Sequence, residues 1–187
     1  MGKRLFDLIG ASLLLGVTLM LLPFIALAIR LDSEGPVFYR QFRVGKGGKL
    51  FRIWKFRTMQ VGTERPNDRV CRGDPRVTRV GRLLRARHLD ELPQCVNVFL
   101  GEMSLVGPRP SSPEEGFTPV GSDPWHSTRL LVRPGITGLG QVMNAGRRLT
   151  FRHVCRLDDF YVKHRHAGLD TRILTCTFRH VLRGLGV

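Results

Sequence analysis

From Leu8 to Ile29 the sequence runs 22 residues without a charged side chain, and no other feature limits the possible folds as strongly. As a helix rising about 1.5 Å per residue, this segment reaches roughly 33 Å, enough to cross a hydrocarbon core of about 30 Å. Two features argue against a simple crossing. Pro23 lies inside the segment, where it removes a backbone donor and bends or breaks a helix. Cations also stand on both flanks: Lys3 and Arg4 before, Arg30, Arg40 and Arg43 after. The positive-inside bias pulls both ends to the cytoplasm. A re-entrant helix, broken at Pro23 and leaving by the face it entered, satisfies both signals. A plain transmembrane anchor and a secretory signal peptide cleaved near Ala26-Leu27-Ala28 are the alternatives, and Asp7 at the start of the run weakens the second.

The rest of the chain is basic and patterned. The net charge of +15 comes from 30 cations against 15 acids. It divides as +2 over residues 1–30, +8 over 31–110 and +5 over 111–187. Such a balance calls for an anionic partner: nucleic acid, a membrane surface or a phosphate-bearing substrate. An apolar content of 42% excludes a disordered basic tail. The four cysteines form no C-x-x-C pair, so neither a zinc site of usual spacing nor a disulfide scaffold is expected.

Val37-Phe38-Tyr39, the turn Gly45-Lys46-Gly47-Gly48 and the alternating run Leu50–Phe56 predict a β-hairpin. Residues 60–74 read as a loop. Asp74-Pro75 then offers an N-cap and first position for a helix. On it Val77, Val80, Leu83 and Leu84 form one stripe and Arg76, Arg79, Arg82 and Arg85 another. That helix either lies at a membrane interface, with guanidinium groups on lipid phosphate, or packs on a core with a solvated arginine face. A second short helix is expected from Pro93 to Gly101, and loops over 104–124 and 132–138. Helices are expected over 151–164 and 169–183, with Leu157, Phe160, Tyr161, Ile173, Leu174, Phe178 and Val181 inward.

The chemistry concentrates around Asp90-Glu91, two adjacent carboxylates between an arginine-rich helix and a proline-started one. A helix start and nearby arginines stabilise such groups as anions, and an ionised Asp can hold Mg2+ or act as a nucleophile. Capping the helix and balancing local charge is the other reading of the same pair. Around it lie phosphate-binding materials: Lys55 and Arg57 at the end of the hairpin, Arg109 between two prolines, Arg133 before Pro134-Gly135, and Arg147-Arg148. A stiff turn presenting one planar guanidinium suits bidentate phosphate recognition. The histidines show no metal-binding spacing, and no Walker-type loop, G-x-G-x-x-G or G-x-S-x-G occurs.

The order of motifs is more specific than any one of them. It runs Lys3-Arg4-x-Phe6-Asp7; Gly35-Pro36-Val37-Phe38-Tyr39-Arg40-Gln41; Lys55-Phe56-Arg57-Thr58-Met59; Asp74-Pro75-Arg76-Val77-Thr78; Leu89-Asp90-Glu91-Leu92-Pro93-Gln94; Gly101-Glu102-Met103-Ser104-Leu105-Val106-Gly107-Pro108-Arg109-Pro110; and Val132-Arg133-Pro134-Gly135-Ile136-Thr137-Gly138. From about residue 3 to residue 183 the chain resembles the bacterial sugar transferases, also called monotopic phosphoglycosyl transferases.

The resemblance implies a mixed α/β, helix-predominant fold. It would comprise a proline-broken re-entrant membrane helix over residues 1–33 and a single catalytic unit over 34–187, with interfacial amphipathic helices and a small hairpin or sheet. It implies a minimal catalytic form on the cytoplasmic face of the bacterial inner membrane. There a phosphosugar would pass from a UDP-sugar to polyprenol phosphate with release of UMP, opening the assembly of a glycan such as an exopolysaccharide.

Asp90 would be the nucleophile and Mg2+ ligand in a ping-pong cycle, and Glu91 would handle protons or position the metal. Lys55, Arg85 and Arg109 would hold phosphates, with Arg133, Gln141 and Arg147 near the nucleotide. Two departures stand out: Leu22 precedes Pro23 where relatives commonly have Ser, and Leu139–Arg147 differs from their aromatic-Gln-Val-Asn-Gly-Arg. A membrane-tethered nucleic-acid-binding protein and a non-catalytic scaffold are the competing classes. The 15 aromatic residues fall in strand and core patterns and offer no stacking platform, so no nucleic-acid partner is expected. The oligomeric state stays open, a homodimer included.

Overall fold

The computed structural model describes residues 2–63, 73–113, 128–145, 147 and 149–184. Cys71 and parts of the two expected loops, residues 64–72 and 114–127, lie outside these.

Helix α1 (Gly2–Asp32) carries the apolar run, with Pro23 inside it and helical residues on both sides. Its buried residues are Asp7, Ala11, Thr18, Ile25 and Ile29. Their spacing of four and seven places them along one stripe of the helix. That stripe lies against the body of the protein. Arg4 donates to the carbonyls of Val98 and Phe99, at the end of a short helix. Asp7 accepts from Ser104 Oγ and the Leu105 amide. Ala11 joins Phe51, Ile53, Cys95, Val98 and Met103 in one core cluster, while Ile25 and Ile29 join Phe56 and Leu84 in a second. At the far end Asp32 Oδ2 accepts from the Val80 amide at 2.8 Å. Leu5, Ile9, Leu13, Met20, Phe24, Leu27 and Leu31 project outward, each more than half exposed. By length and composition α1 can cross a membrane.

Strands β1 (Phe38–Val44) and β2 (Leu50–Phe56) form the expected antiparallel hairpin, from Phe38 opposite Phe56 to Val44 opposite Leu50. The turn uses Gly47 and Gly48 at positive φ (67° and 78°), a region closed to most side chains. Alternation puts Gln41, Arg43, Phe51, Ile53 and Lys55 on one face. On the other, Arg40 stacks 4.1 Å over Trp54 and Arg52 4.7 Å over Phe42.

The next helix, α2 (Arg79–Ala86), starts later than its sequence signals suggest. Asp74 turns back to accept from the Arg76 amide and Nε, and so does not cap a helix. Residues around Val77 stay extended, bridged to Met59, with the Thr78 amide on the Thr58 carbonyl. Thr78 is the true N-cap, accepting from the Gly81 amide at 2.9 Å. Of the apolar stripe, Leu84 is buried beside Phe56 whereas Leu83 is 56% exposed.

The helix expected from Pro93 begins instead as a 3-10 segment at Leu89–Gln94 and becomes α-helix α3 only at Cys95–Phe99. Pro93 lacks the donor that would close the preceding turn in the α pattern.

Two further departures concern residues expected to be loop. Ser104–Val106 and Gly135–Thr137 are strands β3 and β4, paired in parallel. Three-residue strands buried on both faces carry no alternation to read. Their pairing also needs a bare backbone, since a Cβ at Gly135 would lie 2.1 Å from the Gly107 nitrogen.

Helices α4 (Leu139–Asn144), α5 (Phe151–His164) and α6 (Ala167–Leu182) complete the described chain. Tyr161 and Ile173 point inward as expected, but Phe160 and Phe178 are 50% and 64% exposed. The inward positions of α5 are taken by Cys155, Asp158, Asp159 and Tyr161. Burial of Asp158 there is tolerated because Arg129 pairs with it. The Tyr161 hydroxyl donates to Asp170, which also binds Lys3, so both ends of the chain close on the same core.

Candidate active site

Asp90 and Glu91 occupy the first turn of the 3-10 segment. Ahead of them His88 takes a left-handed conformation (φ 55°, ψ 20°), the only non-glycine residue to do so among the described residues. This reversal ends α2 and turns the chain so that the Glu91 amide donates back to the His88 carbonyl. The two carboxylates then meet different surroundings. Glu91 Oε1 accepts from Lys55 Nζ at 2.5 Å, across from β2. Asp90 is 7% exposed, and among the described residues no donor or cation bonds to its carboxylate.

Their acidities separate accordingly. Burial pushes the Asp90 carboxyl above its ordinary range, with Lys55 and Arg85 opposing and the Glu91 charge adding to the rise. Burial also works against the Glu91 anion, but Lys55 and Arg109 hold that group down at about 2. Glu91 is a fixed anion locked to Lys55, and Asp90 is a carboxylate without a partner. Such divergence between neighbouring acids marks reactive sites. Arg85 stands close by on α2, its Nε donating to Thr58 Oγ1 at 2.7 Å. Burial lowers its pKa while the Asp90 charge counters.

An open cleft lies over Lys55 and Glu91, and Arg43, Gln94, Arg109 and Gln141 also line it. Arg109 is exposed on a turn fixed through its backbone: Gly107 donates to the Thr137 carbonyl and Gly135 to that of Pro108. Gln141 uses its Nε2 on the Ile136 carbonyl, leaving its buried Oε1 without a partner.

Thus Lys55, Glu91, Arg109 and Gln141 share one cleft, with Asp90 and Arg85 beside it. Two other expected residues lie elsewhere. Arg133 donates through Nε to the Gly101 carbonyl at 2.7 Å, and the described contact of Arg147 is its amide on the Asn144 carbonyl; neither lines the cleft. Their turns aim them outward. Gln94 and Arg43 complete the lining, and both leave a signal in the sequence: Gln94 follows Glu91 by three residues, one turn of a 3-10 helix, and Arg43 shares the Lys55 face of the hairpin by alternation.

Among the described residues no cluster of three or more His, Cys, Asp or Glu side chains forms. Magnesium bound to a nucleotide needs only one or two carboxylates, with waters and phosphate oxygens completing the shell. The unpartnered Asp90 carboxylate fits that part, and Lys55-bound Glu91 is less available.

The family model described as bacterial sugar transferase matches residues 1–184. The chain is 48% identical over 141 residues to the UDP-glucose:undecaprenyl-phosphate glucose-1-phosphate transferase of Caulobacter vibrioides, covering 75% of this chain and 53% of that protein. It is 38% identical over 191 residues to the UDP-N-acetylgalactosamine-undecaprenyl-phosphate N-acetylgalactosaminephosphotransferase of Aeromonas hydrophila, covering 98% of this chain and 44% of that one. It thus spans about half the length of these two relatives. With the exopolysaccharide production protein PSS of Rhizobium leguminosarum bv. phaseoli it shares 37% identity over 194 residues, 98% and 97% of the two chains. Motif order, the adjacent Asp90 and Glu91 carboxylates at a cationic cleft, and a match over nearly every residue agree: the chain belongs to the bacterial sugar transferase family.

Proposed function

We propose that this chain transfers a sugar 1-phosphate from a UDP-sugar to undecaprenyl phosphate, releasing UMP. The observation that carries the reading is the buried Asp90 carboxylate, without a hydrogen-bond or ion-pair partner among the described residues, next to the Lys55–Glu91 pair that lines a cleft with Arg109. A carboxylate that no cation bonds among the described residues, with Lys55 and Arg85 near enough to favour its charge, is available for bonding to phosphorus.

In this reading Asp90 Oδ attacks the β-phosphorus of the donor. A bond forms between the carboxylate and phosphorus, and the bond from that phosphorus to the bridging oxygen breaks. The electron pair leaves with UMP. An acyl-phosphate sugar remains on Asp90. A phosphate oxygen of undecaprenyl phosphate then attacks the same phosphorus and expels the Asp90 carboxylate, completing a ping-pong cycle. Lys55 and Arg85 favour the ionised form of Asp90 that the first step needs. A group with a pKa of about 2 is a poor proton acceptor near neutrality, so Glu91 acts by fixing the Lys55 ammonium against the diphosphate. Arg109 supplies a planar donor fork to the same group. Held through Asp90, Mg2+ supplies charge neutralisation at the diphosphate when bound.

The acceptor is a lipid, so its phosphate must be met at a membrane surface. Residues 1–33 serve as a monotopic anchor, entering and leaving by the cytoplasmic face of the inner membrane with Pro23 as the bend, and 34–187 as the catalytic body. Support comes from α1 itself. Lys3 and Arg4 at one end and Asp32 at the other bind the same body, and an apolar stripe lies exposed between them.

The test is UMP release by the full chain in nanodiscs from UDP-glucose, UDP-galactose and UDP-N-acetylgalactosamine with undecaprenyl phosphate and Mg2+. Wild type is expected to release UMP with one donor and Asp90→Asn to release none above background. Release by the Asn variant at the wild-type rate would remove Asp90 from the chemistry.

A further inference from the structure

Arg129 and Asp158 stand outside every motif named above, and neither lines the cleft. They form a buried ion pair, Nε to Oδ2 at 3.0 Å, with side chains only 6% and 2% exposed. What they hold by their other atoms gives the pair its interest. Arg129 Nη2 donates to the Arg109 main-chain carbonyl at 2.8 Å, and Nη1 to Ser111 Oγ at 3.3 Å. The Arg109 turn needs such help, because two of its residues are prolines and supply no backbone donor. Three of its carbonyls are met from other segments: Pro108 by the Gly135 amide, Arg109 by Arg129, Ser111 by the Val44 amide.

Asp158 reaches a second cleft segment. The Gly140 amide stabilises its carboxylate, and Gly140 directly precedes Gln141. The approach is close enough that a Cβ on Gly140 would fall 2.9 Å from Asp158 Oδ1. One neutralised pair therefore fixes the backbone at Arg109 and at Gly140, residues distant in sequence whose guanidinium and neighbouring amide face the same cleft. It does so without adding net charge to a site already rich in cations.

We infer that the Arg129–Asp158 pair is a positioning element of the reaction, setting the Arg109 guanidinium and the Gln141 amide where the diphosphate donor binds. The inference rests on the proposed reading in which that donor occupies the cleft. Removing one partner alone would strand a buried charge and endanger folding, so the informative variant replaces both with apolar residues of similar size, Arg129→Met with Asp158→Leu.

Two readouts on the full chain in nanodiscs decide. Amide hydrogen exchange needs no substrate: in the folded double variant, exchange at Val44 and Gly135, whose acceptors lie on the Arg109 turn, is expected to quicken at least tenfold, with α1 and the middle of the hairpin unchanged. In UMP release from whichever of the three UDP-sugars wild type accepts, the donor KM is expected to rise at least tenfold with kcat reduced less. Adding Arg109→Ala to the double variant is expected to cost far less than it costs in wild type, since residues acting as a unit are not additive. Unchanged exchange at Val44 and Gly135, a uniform rise along the chain, or full additivity with Arg109→Ala would each overturn the inference. If wild type releases no UMP, the functional reading fails by itself, and the exchange result still decides whether the pair holds the turn.

Discussion

Two ion pairs sit within one small body, and they behave in opposite ways. At the cleft Lys55 faces Glu91, and the carboxyl is driven down to about 2 although burial opposes its ionisation. Beneath the turn Arg129 faces Asp158, and there burial prevails, lifting the carboxyl to about 6. Part of the contrast is geometric: Lys55 hydrogen-bonds to Glu91, whereas Arg129 Nε and Asp158 Oδ2 approach without a hydrogen bond between them. The rest lies in the company each pair keeps. Glu91 feels Arg109 as well as Lys55, whereas Asp158 has Arg129 as its one cationic influence, deep in the core. An excess of cations around an acid suits a place that receives a doubly charged phosphate ligand; a one-to-one pair suits a joint.

The comparison is most exposed to failure at Lys55. Lys55→Met removes the leading attraction on Glu91 and one phosphate-binding charge. UMP release is expected to fall about a hundredfold or more, the scale for deleting a preorganised charge-stabilising donor. The Glu91 carboxyl should climb out of its depressed position, read by carbon NMR of labelled protein. If Glu91 stayed near 2, Arg109 alone would account for it.

At the joint, Arg129→Met is expected to cost about 3–5 kcal/mol in urea unfolding near neutral pH by leaving the Asp158 carboxylate buried without its cation, while the apolar double replacement costs little. The pH dependence separates the two acids further. Asp158 has a folded pKa of about 6 against 3.8 as its ordinary value. The folded state therefore holds the extra proton between these values, so this group favours folding at low pH and loses roughly 3 kcal/mol of that advantage as pH rises through 6. Glu91 has the reverse sign: its contribution is present above its ordinary pKa and vanishes as pH falls through about 2. Comparing wild type with the apolar double variant at pH 4.5 and 7.5 isolates the Asp158 share. The stability gap should swing toward the variant at the higher pH.

The smallest effect belongs to a third pair, Lys163 with Asp159, where Lys163 is 62% exposed. Lys163→Ala should move stability by no more than about 0.5 kcal/mol. A larger loss would mean that contact distance, more than surroundings, sets the worth of these pairs.

The same distinction separates what the sequence discloses from what it hides. The hairpin is legible because alternation from Leu50 to Phe56 and a glycine turn are local facts, and the Asp90-Glu91 dyad because two carboxylates stand together. Helix α5 is legible over 151–164 from periodicity, yet its inward acids at 158 and 159 are not. They are buried only because Arg129, 29 positions away, arrives to meet one of them. Strands β3 and β4 stay hidden for a like reason: a parallel pair of three-residue strands, joined through bare glycine backbone, leaves no pattern in either segment. Asp74-Pro75 misleads because a good cap in sequence is spent on Arg76 in a local turn. What depends on neighbours in the chain can be read; what depends on neighbours in space cannot.

Helix α1 and the strand behind it share more than a border. Arg57, two residues beyond Lys55, donates to the carbonyls of Ser33 and Glu34 where α1 ends, and Asp32 caps the start of α2. A body cut free after this helix would turn Phe51, Ile53, Val98 and Met103 toward water and leave the Val80 amide without the Asp32 carboxylate. The tether is consequently a wall of the house as well as its mooring. It cannot be exchanged for another membrane segment of equal length without rebuilding the room it encloses.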